Sequence, residues 1–492
     1  MRIVGTRSAL YVLSTAVQKF SALLLLPIYT RLLSPAEYGL VGVLSTAFAL
    51  ALSVVMLGLD HGIVRACSTS RGMDSQAPGS TVSLASRFSS AVALAGCASL
   101  GVALLLAAGG PFVLPTLFPG TQPSDAIAWV LVALVSQAVM YCVLALMQAR
   151  ERAGWFAALS IGYFVTFAVS SVLGILVSRD GLASVSIALA LSGALFAAIG
   201  LVVSGKWGYL TTRVSTASVK SLLAYSLPMM PHTLTLQGSA LALRLVAVHL
   251  ISAVAAGVFT IAMYAVSVID AVQTGLYRAL APWYFSLRDR APESMTQQVR
   301  HRIVQMIAVN AVVVSAVALF AAPAVAWVLP RAFADSILLV PLLAFSMLVK
   351  GLYYPKLAVL MEAPRGPRRV LMVSLTSTAL AIGAAVPLVA ALGLMGLAWS
   401  QLALRAMMAL GVHFAARSLD DIPFPWRKVL AVQLPALVAV AVSAILGPDT
   451  VGEFDALGGI IVPIVTFLAV GALIFLGTSG GRGRVSAKWR TR

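Results

Sequence analysis

The chain alternates between long apolar stretches and short segments that carry most of the charges, prolines and glycines. A helix that crosses the hydrocarbon core of a bilayer needs about 20 mostly apolar residues. By this criterion the pattern predicts fourteen membrane-spanning helices. The predicted spans are 9–29, 38–59, 84–108, 126–147, 155–177, 182–204, 225–248, 253–278, 303–322, 337–361, 370–392, 394–415, 429–446 and 459–478. An even number of spans places both termini on the same side of the membrane.

The basic residues between the spans orient the bundle. If both termini are cytoplasmic, 25 of the 34 Lys and Arg residues lie in cytoplasmic segments. The outer segments then hold only Arg31, Arg179 and Arg331. Cytoplasmic loops of membrane proteins carry an excess of Lys and Arg, so the reversed orientation would contradict this rule. The longest outer loops, near 109–125 and 447–458, are too short for a soluble domain, so the chemistry must take place within the bundle.

Composition supports the membrane interpretation and changes the meaning of the net charge. Hydrophobic residues make up 60% of the chain and charged residues 10%, against about 45–50% and 25% in soluble domains. This excludes a soluble enzyme, because too few polar groups remain to cover a water-facing surface. The net charge of +18 would suggest a nucleic-acid partner in a soluble protein. Here most of the excess follows the topology, and no nucleic-acid partner is expected.

Short segments of the second half of the chain repeat segments of the first half. Each pair occupies the same place in the order of helices. The paired segments are 32–34 and 250–252, 146–149 and 360–363, and 181–183 and 396–398, at offsets of 218, 214 and 215. We therefore expect an all-α integral membrane protein with two parallel six-helix halves around a central cavity, a pattern known from transporters. The predicted divisions are 1–210 and 211–418 for the halves, 419–480 for two additional helices and 481–492 for a basic cytoplasmic tail.

The motif Leu26–Gly39, with the sequence LPIYTRLLSPAEYG, resembles the opening signature of the polysaccharide (Wzx-type) flippases. These proteins belong to the multidrug/oligosaccharidyl-lipid/polysaccharide (MOP) exporter superfamily. Looser similarities lie in the second, seventh and eighth spans. They comprise Gly58-Leu59 with Arg65, Ala224–Pro228 with Pro231, Gly257 with Tyr264, and Pro282. Many relatives carry an acidic residue before the Arg of the seventh span, whereas here Leu243 precedes Arg244.

The resemblance implies both a fold and an activity. The implied fold is that of the lipid II flippases and, more distantly, the cation-coupled drug exporters (MATE/MurJ-like). The implied activity is translocation of an undecaprenyl-diphosphate-linked oligosaccharide from the cytoplasmic to the outer leaflet of the bacterial cytoplasmic (inner) membrane. Expected partners are this lipid-linked glycan, the lipid bilayer, and glycosyltransferases or a polymerase of the same pathway. No cofactor is expected, and a coupling proton or Na⁺ is left open.

Six basic residues fall within or at the edges of the predicted spans. They are Lys19, Arg244, Arg278, Lys350, Lys356 and Arg405. A charge at the centre of a spanning helix costs about 2.5–3.5 kcal/mol on insertion scales, so such side chains should face a water-filled cavity or a partner. The excess of cations suits an anionic substrate such as a diphosphate. We therefore predict that the substrate is bound by Arg31, Lys19, Arg244, Arg278, Lys350 and Arg405. For Arg31, Arg278 and Lys356 the alternative is simple snorkelling to the membrane interface.

Two acidic residues accompany these cations. Asp270, Thr274 and Arg278 share one helix face, because residues four apart are neighbours. Either Asp270 and Arg278 form an intrahelical pair, or Asp270 binds a coupling ion and releases Arg278 for the substrate. Asp60 shifted by 218 coincides with Arg278, and we expect this pair to meet when the cytoplasmic mouth closes.

Pro228 and Pro231 stand near the start of the seventh predicted span. Proline removes a backbone donor, so these residues should bend or break the helix. The outcome is either a packing kink or a hinge that changes the access side.

Three other functions compete with the flippase. A cation-coupled drug or metabolite antiporter on the same fold needs an acidic cavity, which two intramembrane acids against six bases do not favour. A membrane polysaccharide polymerase or ligase needs catalytic groups in a sizeable outer loop, and the five His residues follow no metal or triad spacing. A scaffold that only recruits lipid intermediates is the third alternative.

Overall fold

The computed structural model describes residues 21–68, 83–120, 124–227, 230–290, 292–362, 366–417, 424–445 and 458–479. Within these ranges the chain is all-helical, apart from short turns and connections. The helices are α1 Ser21–Leu32, α2 Pro35–Met56, α3 Leu59–Ser68, α4 Leu84–Leu117, α5 Ser124–Ala149, α6 Ala153–Ser178, α7 Gly181–Lys206, α8 Thr216–Ser226, α9 Met230–Leu250, α10 Ala253–Arg290, α11 Pro292–Val328, a 3₁₀ turn Arg331–Phe333, α12 Ser336–Lys350, α13 Tyr353–Glu362, α14 Gly366–Leu392, α15 Leu394–Arg417, α16 Trp426–Ile445 and α17 Gly458–Ser479.

The predicted fold class is confirmed. In the described ranges, twelve helical segments are long and apolar enough to cross a membrane, and two shorter apolar helices, Ser21–Leu32 and Ile461–Leu476, overlap the first and last predicted spans. Large apolar side chains cover the outer surface, as Phe112 and Trp327 show with 83% and 91% exposure. Such a surface is soluble only in lipid. The chain is a multi-pass membrane protein.

The chain divides into two compact units, Met1–His249 and Leu250–Arg492, which we call unit 1 and unit 2. Unit 1 holds α1 to α8 and nearly all of α9, and unit 2 holds α10 to α17. The division expected from the repeat, at 210/211, stays a prediction, as do the additional helices 419–480. The basic tail 481–492 lies outside the described residues.

The first pair of repeated segments has the same local structure in both units. Ser34 caps α2, where its Oγ accepts a hydrogen bond of 3.3 Å from the backbone N–H of Glu37. Ser252 caps α10 in the same way, and its Oγ accepts from the N–H of Ala255 at 3.1 Å. A serine at this position satisfies a backbone donor that would otherwise be unpaired at the helix start. The repeated serine therefore marks an equivalent helix start in each unit.

The helices pack through small residues and self-satisfied hydroxyls. A Cβ atom added to Gly200 of α7 would lie 2.7 Å from a methyl group of Val143 of α5, so these two backbones approach closely. Several buried serines donate to carbonyl oxygens of their own helix, four residues earlier, and so satisfy their hydroxyls locally. Examples are Ser90, Ser99, Ser160, Ser192, Ser315 and Ser400.

Three helices are longer than the apolar stretches predicted. Helix α4 continues to Leu117, so the expected outer loop 109–125 is partly helical. Helix α10 continues to Arg290 and α11 begins at Pro292, where a polar loop was expected. Hydropathy marks the part of a helix that lies in lipid, whereas the helix itself can extend into water as long as its backbone bonds continue.

Two other spans are interrupted. The second is broken at Leu57 and Gly58, whose φ angles of 48° and 71° lie in the left-handed region. The tenth comprises α12 and α13, which are separated by Gly351 and Leu352. A break in a spanning helix leaves backbone groups without intrahelical partners, and it is tolerated where protein or water can satisfy them.

Candidate functional site

The predicted site residues are distributed over both units. Lys19 and Pro228 lie outside the described residues. Pro231 lies in the first turn of α9. Arg31 of α1 and Arg278 of α10 are exposed, a position compatible with either snorkelling or substrate contact. The predicted contact of Arg278 with Asp60 stays a prediction.

Asp270 and Lys350 form an ion pair in unit 2. Asp270 lies in the middle of α10, and Lys350 is the last residue of α12, where its Nζ donates to Oδ1 of Asp270. The Asp270 and Lys350 side chains are 39% and 23% exposed, so the pair is partly accessible to water. The Lys350 Nζ also lies 5.7 Å from the ring centre of Tyr354. The structure thus gives Asp270 a cationic partner on another helix. The shared helix face of Asp270 and Arg278 could not identify this partner.

Thr274 takes no part in this pair through its hydroxyl. Its Oγ1 donates to the backbone carbonyl of Asp270 at 2.8 Å. The shared face of Asp270, Thr274 and Arg278 is therefore a property of the helix and not a chain of side-chain contacts.

Arg405 of α15 contacts the same end of α12. It is 6% exposed on α15, and its guanidinium donates to the hydroxyl of Ser346 and, at 3.4 Å, to the carbonyl oxygen of Leu343. Ser346 and Lys350 are four residues apart and occupy one face of α12. The last turns of a helix carry partial negative charge, which favours nearby cations. The end of α12 therefore collects two cations, from α12 itself and from α15, and one carboxylate from α10.

A buried amide pair lies beside this end of α12. The Gln273 side-chain amide donates to Oδ1 of Asn310 at 2.8 Å and to the carbonyl oxygen of Met347 at 2.7 Å. Within the described residues, Gln273 Oε1, Asn310 Nδ2 and the Tyr353 hydroxyl have no hydrogen-bond partner. A buried polar atom without a partner costs free energy, so these atoms mark a place that accommodates water or a polar ligand group.

Aromatic rings complete the surroundings of Lys350. The ring centres of Tyr277 and Tyr354 are 5.5 Å apart, and those of Tyr353 and Tyr354 are 5.3 Å apart. The break between α12 and α13 brings the two consecutive tyrosines next to Lys350. We call Asp270, Lys350, Arg405, Ser346 and Tyr354 the α12-end cluster.

The two remaining predicted cations are buried elsewhere. Arg244 of α9 is 7% exposed in unit 1, and its guanidinium donates to the carbonyl oxygen of Ala240 at 3.2 Å. Lys356 of α13 is 5% exposed in unit 2, and its Nζ lies 5.6 Å from the ring centre of Phe424. Both side chains are therefore shielded from lipid by the protein, as the cost of an intramembrane charge requires.

Unit 1 holds a cavity of about 320 Å³ with several polar side chains in its lining. Asp60, at the start of α3, opens onto it, and its carboxylate lies 3.7 Å from Nε2 of His61. The polar side chains of the lining are Ser53, Asp60, His61, Tyr141, Thr233 and Gln237. A second pocket of about 210 Å³ also reaches Tyr141, so this tyrosine contributes to both. We call the two pockets together the Tyr141 cavity.

The break in the second span positions Asp60. A Cβ atom on Gly58 would lie 2.8 Å from the carbonyl oxygen of Ser226, at the end of α8, so the backbone passes closely here. Arg65 stacks on the ring of Tyr225, 4.3 Å from its centre, and joins α3 to α8 as well. Helix α3 is thus held against α8 with Asp60 in its first turn.

The sequence identified the charged members of these sites but not their neighbours. Gln273, Ser346, Tyr141 and Tyr354 have no motif that distinguishes them from ordinary polar and aromatic residues of spanning helices. In the described residues no group of three or more His, Cys, Asp or Glu could hold a metal ion.

A family model described as polysaccharide biosynthesis protein matches residues 5–288, which is more than half of the chain. No curated protein matches the chain in sequence. Residues 5–288 include all of unit 1 except its first four residues, and therefore its Tyr141 cavity, and the part of α10 that carries Asp270.

Solved structures of transporters share the fold. The lipid II flippase MurJ in an inward closed conformation superposes with a TM-score of 0.65 at 12% identity, over 94% of this chain and 99% of that one. A multidrug resistance MATE family transporter of the MOP superfamily, inward-facing, gives 0.59 at 15% identity, over 86% and 95%. The Vibrio cholerae MATE transporter VcmN in the bent form gives 0.54 at 14% identity, over 88% and 100%.

The family match and the shared fold confirm the predicted resemblance to the Wzx-type MOP exporters. At these identities the solved structures speak for the fold alone.

Proposed function

Because the chain belongs to the polysaccharide biosynthesis protein family, we propose that it flips an undecaprenyl-diphosphate-linked oligosaccharide from the cytoplasmic to the outer leaflet of the bacterial cytoplasmic membrane. Both termini are cytoplasmic in this proposal. Glycosyltransferases of the same pathway supply the lipid-linked glycan, and a polymerase consumes it. The fold shared with a lipid II flippase, a protein that acts on lipid II by its name, supports the proposal.

The α12-end cluster is the observation that carries the proposal. A charge inside a membrane protein is expensive, so a cation kept there points to an anionic partner. Arg405 presents a planar guanidinium suited to two oxygens of one phosphate, and Lys350 provides a mobile point charge for the other phosphate. Asp270 holds Lys350 while no substrate is present.

Charge balance suggests how substrate and coupling ion are linked. Lys350, Arg405 and Asp270 together carry one net positive charge, whereas a diphosphate diester carries two negative charges, one on each phosphate. A proton or Na⁺ on Asp270 neutralises the carboxylate and releases Lys350, so that two positive charges face the two phosphates. The coupling ion is therefore a proton or Na⁺, and it acts on Lys350 and not on Arg278.

The movement is alternating access of two halves around a cationic cavity. Discontinuous helices form substrate and ion sites in many transporters, because their free backbone ends bind charged groups. The break at Gly351 lies directly after Lys350, so a change in the angle between α12 and α13 moves Tyr354 relative to this lysine. Pro231 serves as a second hinge, and Arg31, Arg244 and Arg278 provide further positive charge along the substrate's path.

Vesicle reconstitution tests the proposal. The protein is incorporated into liposomes with a fluorescent polyprenyl-diphosphate oligosaccharide, and a membrane-impermeant quencher reports the fraction of label in each leaflet. We expect label to cross in vesicles with protein and to stay in place in empty vesicles. Lys350→Gln should lower the initial rate at least tenfold, whereas the matched control Lys206→Gln, an exposed lysine at the end of α7, should keep it. Equal rates for wild type and empty vesicles would overturn the proposal.

A cation-coupled drug antiporter is the second candidate, since solved structures with this fold include multidrug transporters. The same vesicles, loaded with a fluorescent lipophilic cation, distinguish the two functions. Ion-driven movement of the cation, without movement of the lipid-linked glycan, would favour the antiporter.

A further inference from the structure

The Tyr141 cavity has a chemistry unlike that of the α12-end cluster. The described residues that line its larger pocket include a carboxylate, a histidine, hydroxyls and an amide, but no Lys or Arg. Asp60, which is half exposed, supplies this carboxylate and lies 3.7 Å from the adjacent His61. A site of this kind does not bind a diphosphate. It has to serve another part of the substrate or another ligand.

Aromatic rings line the smaller pocket of the cavity. Tyr141 is 40% exposed and contributes to both pockets. Tyr163 and Phe167 stack nearly parallel, with an angle of 8° between their planes, and the Gln137 amide donates to the Tyr163 hydroxyl at 2.6 Å. The neighbouring Phe164 adds a third ring to this pocket. The smaller pocket thus combines flat apolar surfaces with fixed polar groups.

We propose that the Tyr141 cavity binds a sugar of the lipid-linked glycan, and that this sugar carries no carboxylate group. The inference rests on the proposed function, because it assigns a second part of the same substrate. It adds what the cation cluster cannot supply, a preference among glycans.

A sugar fits the mixture of groups in the cavity. One face of a pyranose ring exposes C–H groups, which pack on an aromatic ring because the ring face carries partial negative charge. Its hydroxyls both donate and accept, as do Thr233 and Gln237, while Asp60 accepts. Within the described residues neither the Tyr141 hydroxyl nor the Gln237 amide is hydrogen-bonded to the protein, so both are available to a ligand. The volume of about 320 Å³ lies within the range of about 300–1,000 Å³ typical of small-molecule sites.

Asp60 excludes an acidic sugar. A uronic acid would bring its carboxylate towards that of Asp60, and the described lining has no Lys or Arg to compensate the repulsion. Like charges in a cavity of reduced dielectric repel more strongly than in water. Neutral hexoses and N-acetylated amino sugars avoid this penalty, and their hydroxyl and amide groups can donate to Asp60.

A lipophilic cation is the other ligand that an acidic aromatic cavity attracts. Such a cation has no hydroxyls, so it would leave Gln237 and Thr233 without the partners that they have in water. Unpaired polar groups in a filled site reduce affinity strongly. The number of polar groups around Asp60 therefore favours the sugar.

Binding measurements on the purified full-length protein test the inference. Native mass spectrometry or thermophoresis in detergent compares three probes: a polyprenyl diphosphate without sugar, the same lipid with N-acetylglucosamine, and the same lipid with glucuronic acid. Methyl N-acetylglucosaminide, which has neither lipid nor phosphate, is the fourth probe. We expect N-acetylglucosamine to tighten the binding of the lipid about tenfold, the effect of about 1.4 kcal/mol. Glucuronic acid should give no gain.

Variants assign the effect to the cavity. Tyr141→Ala should abolish the gain from N-acetylglucosamine and leave the affinity for the bare lipid diphosphate unchanged, whereas Tyr141→Phe retains the ring and most of the gain. Asp60→Asn should make the glucuronic acid conjugate bind about tenfold better. Phe112→Ala removes an aromatic ring that is 83% exposed on the outer surface, and it should change none of the affinities.

Several results would overturn the inference. The first is equal affinity for the bare and the sugar-bearing lipids. The second is an equal loss of affinity for all probes in Tyr141→Ala. The third is that tetraphenylphosphonium competes with methyl N-acetylglucosaminide for the cavity and binds more tightly. Failure of the bare lipid diphosphate to bind would instead refute the proposed function. In that case the fourth probe still decides whether the cavity takes a sugar, since Tyr141→Ala must weaken its binding.

Discussion

The ion pair between Asp270 and Lys350 makes a quantitative prediction, because its two members come from different helices. Lys350→Met removes the cation but keeps most of the side-chain volume, and it leaves the Asp270 carboxylate without this partner. Breaking a fully buried pair costs about 3–5 kcal/mol, and an exposed pair is worth about 0–1 kcal/mol. The side chains here are 39% and 23% exposed, so solvent screening reduces the upper figure. We expect a loss of about 2 kcal/mol in the free energy of unfolding, or about 30-fold in the folding equilibrium.

A double-mutant cycle separates the pair from other effects. Asp270→Asn in the Lys350→Met background removes the carboxylate that has lost this cation, so the double variant should regain at least half of the lost stability. The free energy of unfolding is measured by denaturant titration in mixed detergent micelles for the wild type, both single variants and the double variant. The coupling free energy should be about 1–2 kcal/mol. A coupling below about 0.5 kcal/mol would refute the reasoning, because it would mean that the two side chains do not interact in the folded protein.

Three further predictions concern single positions. Gly351→Ala should destabilise the protein by about 1–3 kcal/mol, because the new Cβ collides with the Asn310 amide. The control Gly383→Ala, whose new Cβ has nothing within 4 Å, should be neutral or stabilising. Thermal unfolding compares the two variants, and equal melting temperatures would contradict the clash. Arg405→Lys should lower flipping about tenfold, because a lysine cannot present the planar guanidinium to two acceptors; full activity in the quencher assay would contradict this role. Burial raises the pKa of the Cys67 thiol to about 11, although Arg87 and Arg150 oppose the shift, so the thiolate is rare at pH 7. The rate of Cys67 alkylation by iodoacetamide, followed by mass spectrometry, should therefore rise about tenfold per pH unit up to pH 11. A rate independent of pH would be inconsistent with this pKa.

The sequence was sufficient to predict the spans because the solvent itself imposes the pattern. Each stretch in lipid must be helical and apolar, so the hydropathy of 253–278 or 394–415 reveals a helix without knowledge of its neighbours. The repeated serine caps, Ser34 and Ser252, could be identified for a similar reason, since capping is local in sequence. Both kinds of information depend on residues within one or two turns of each other.

The interruption of the tenth span could not be predicted in this way. Gly351 and Leu352 are apolar, so hydropathy continues through them, and the break becomes visible only where the Asn310 side chain meets Gly351. Pro228 gave a break signal in the seventh span because proline lacks a backbone donor. A break caused by packing against a distant helix has no such local signature.

The partners within the candidate site were also beyond sequence reasoning. The cost of intramembrane charge showed that Lys350, Arg405 and Asp270 need polar surroundings. It did not show which of them pair, because Asp270 and Lys350 are 80 residues apart. Helix periodicity relates Asp270 only to residues of its own helix, such as Arg278. It cannot show that Lys350, on another helix, is the ion-pair partner of Asp270.

The buried serines that bond within their own helices have a mechanical consequence. Because Ser160 and Ser400 direct their hydroxyl protons to carbonyls of their own helix, these protons form no directional link to a neighbouring helix. Helices that touch through such surfaces can slide past one another at the cost of dispersion contacts alone, which re-form after each small shift. A hydrogen bond between helices opposes such sliding. The bond from Gln273 of α10 to Asn310 of α11 therefore favours movement of these two helices of unit 2 together.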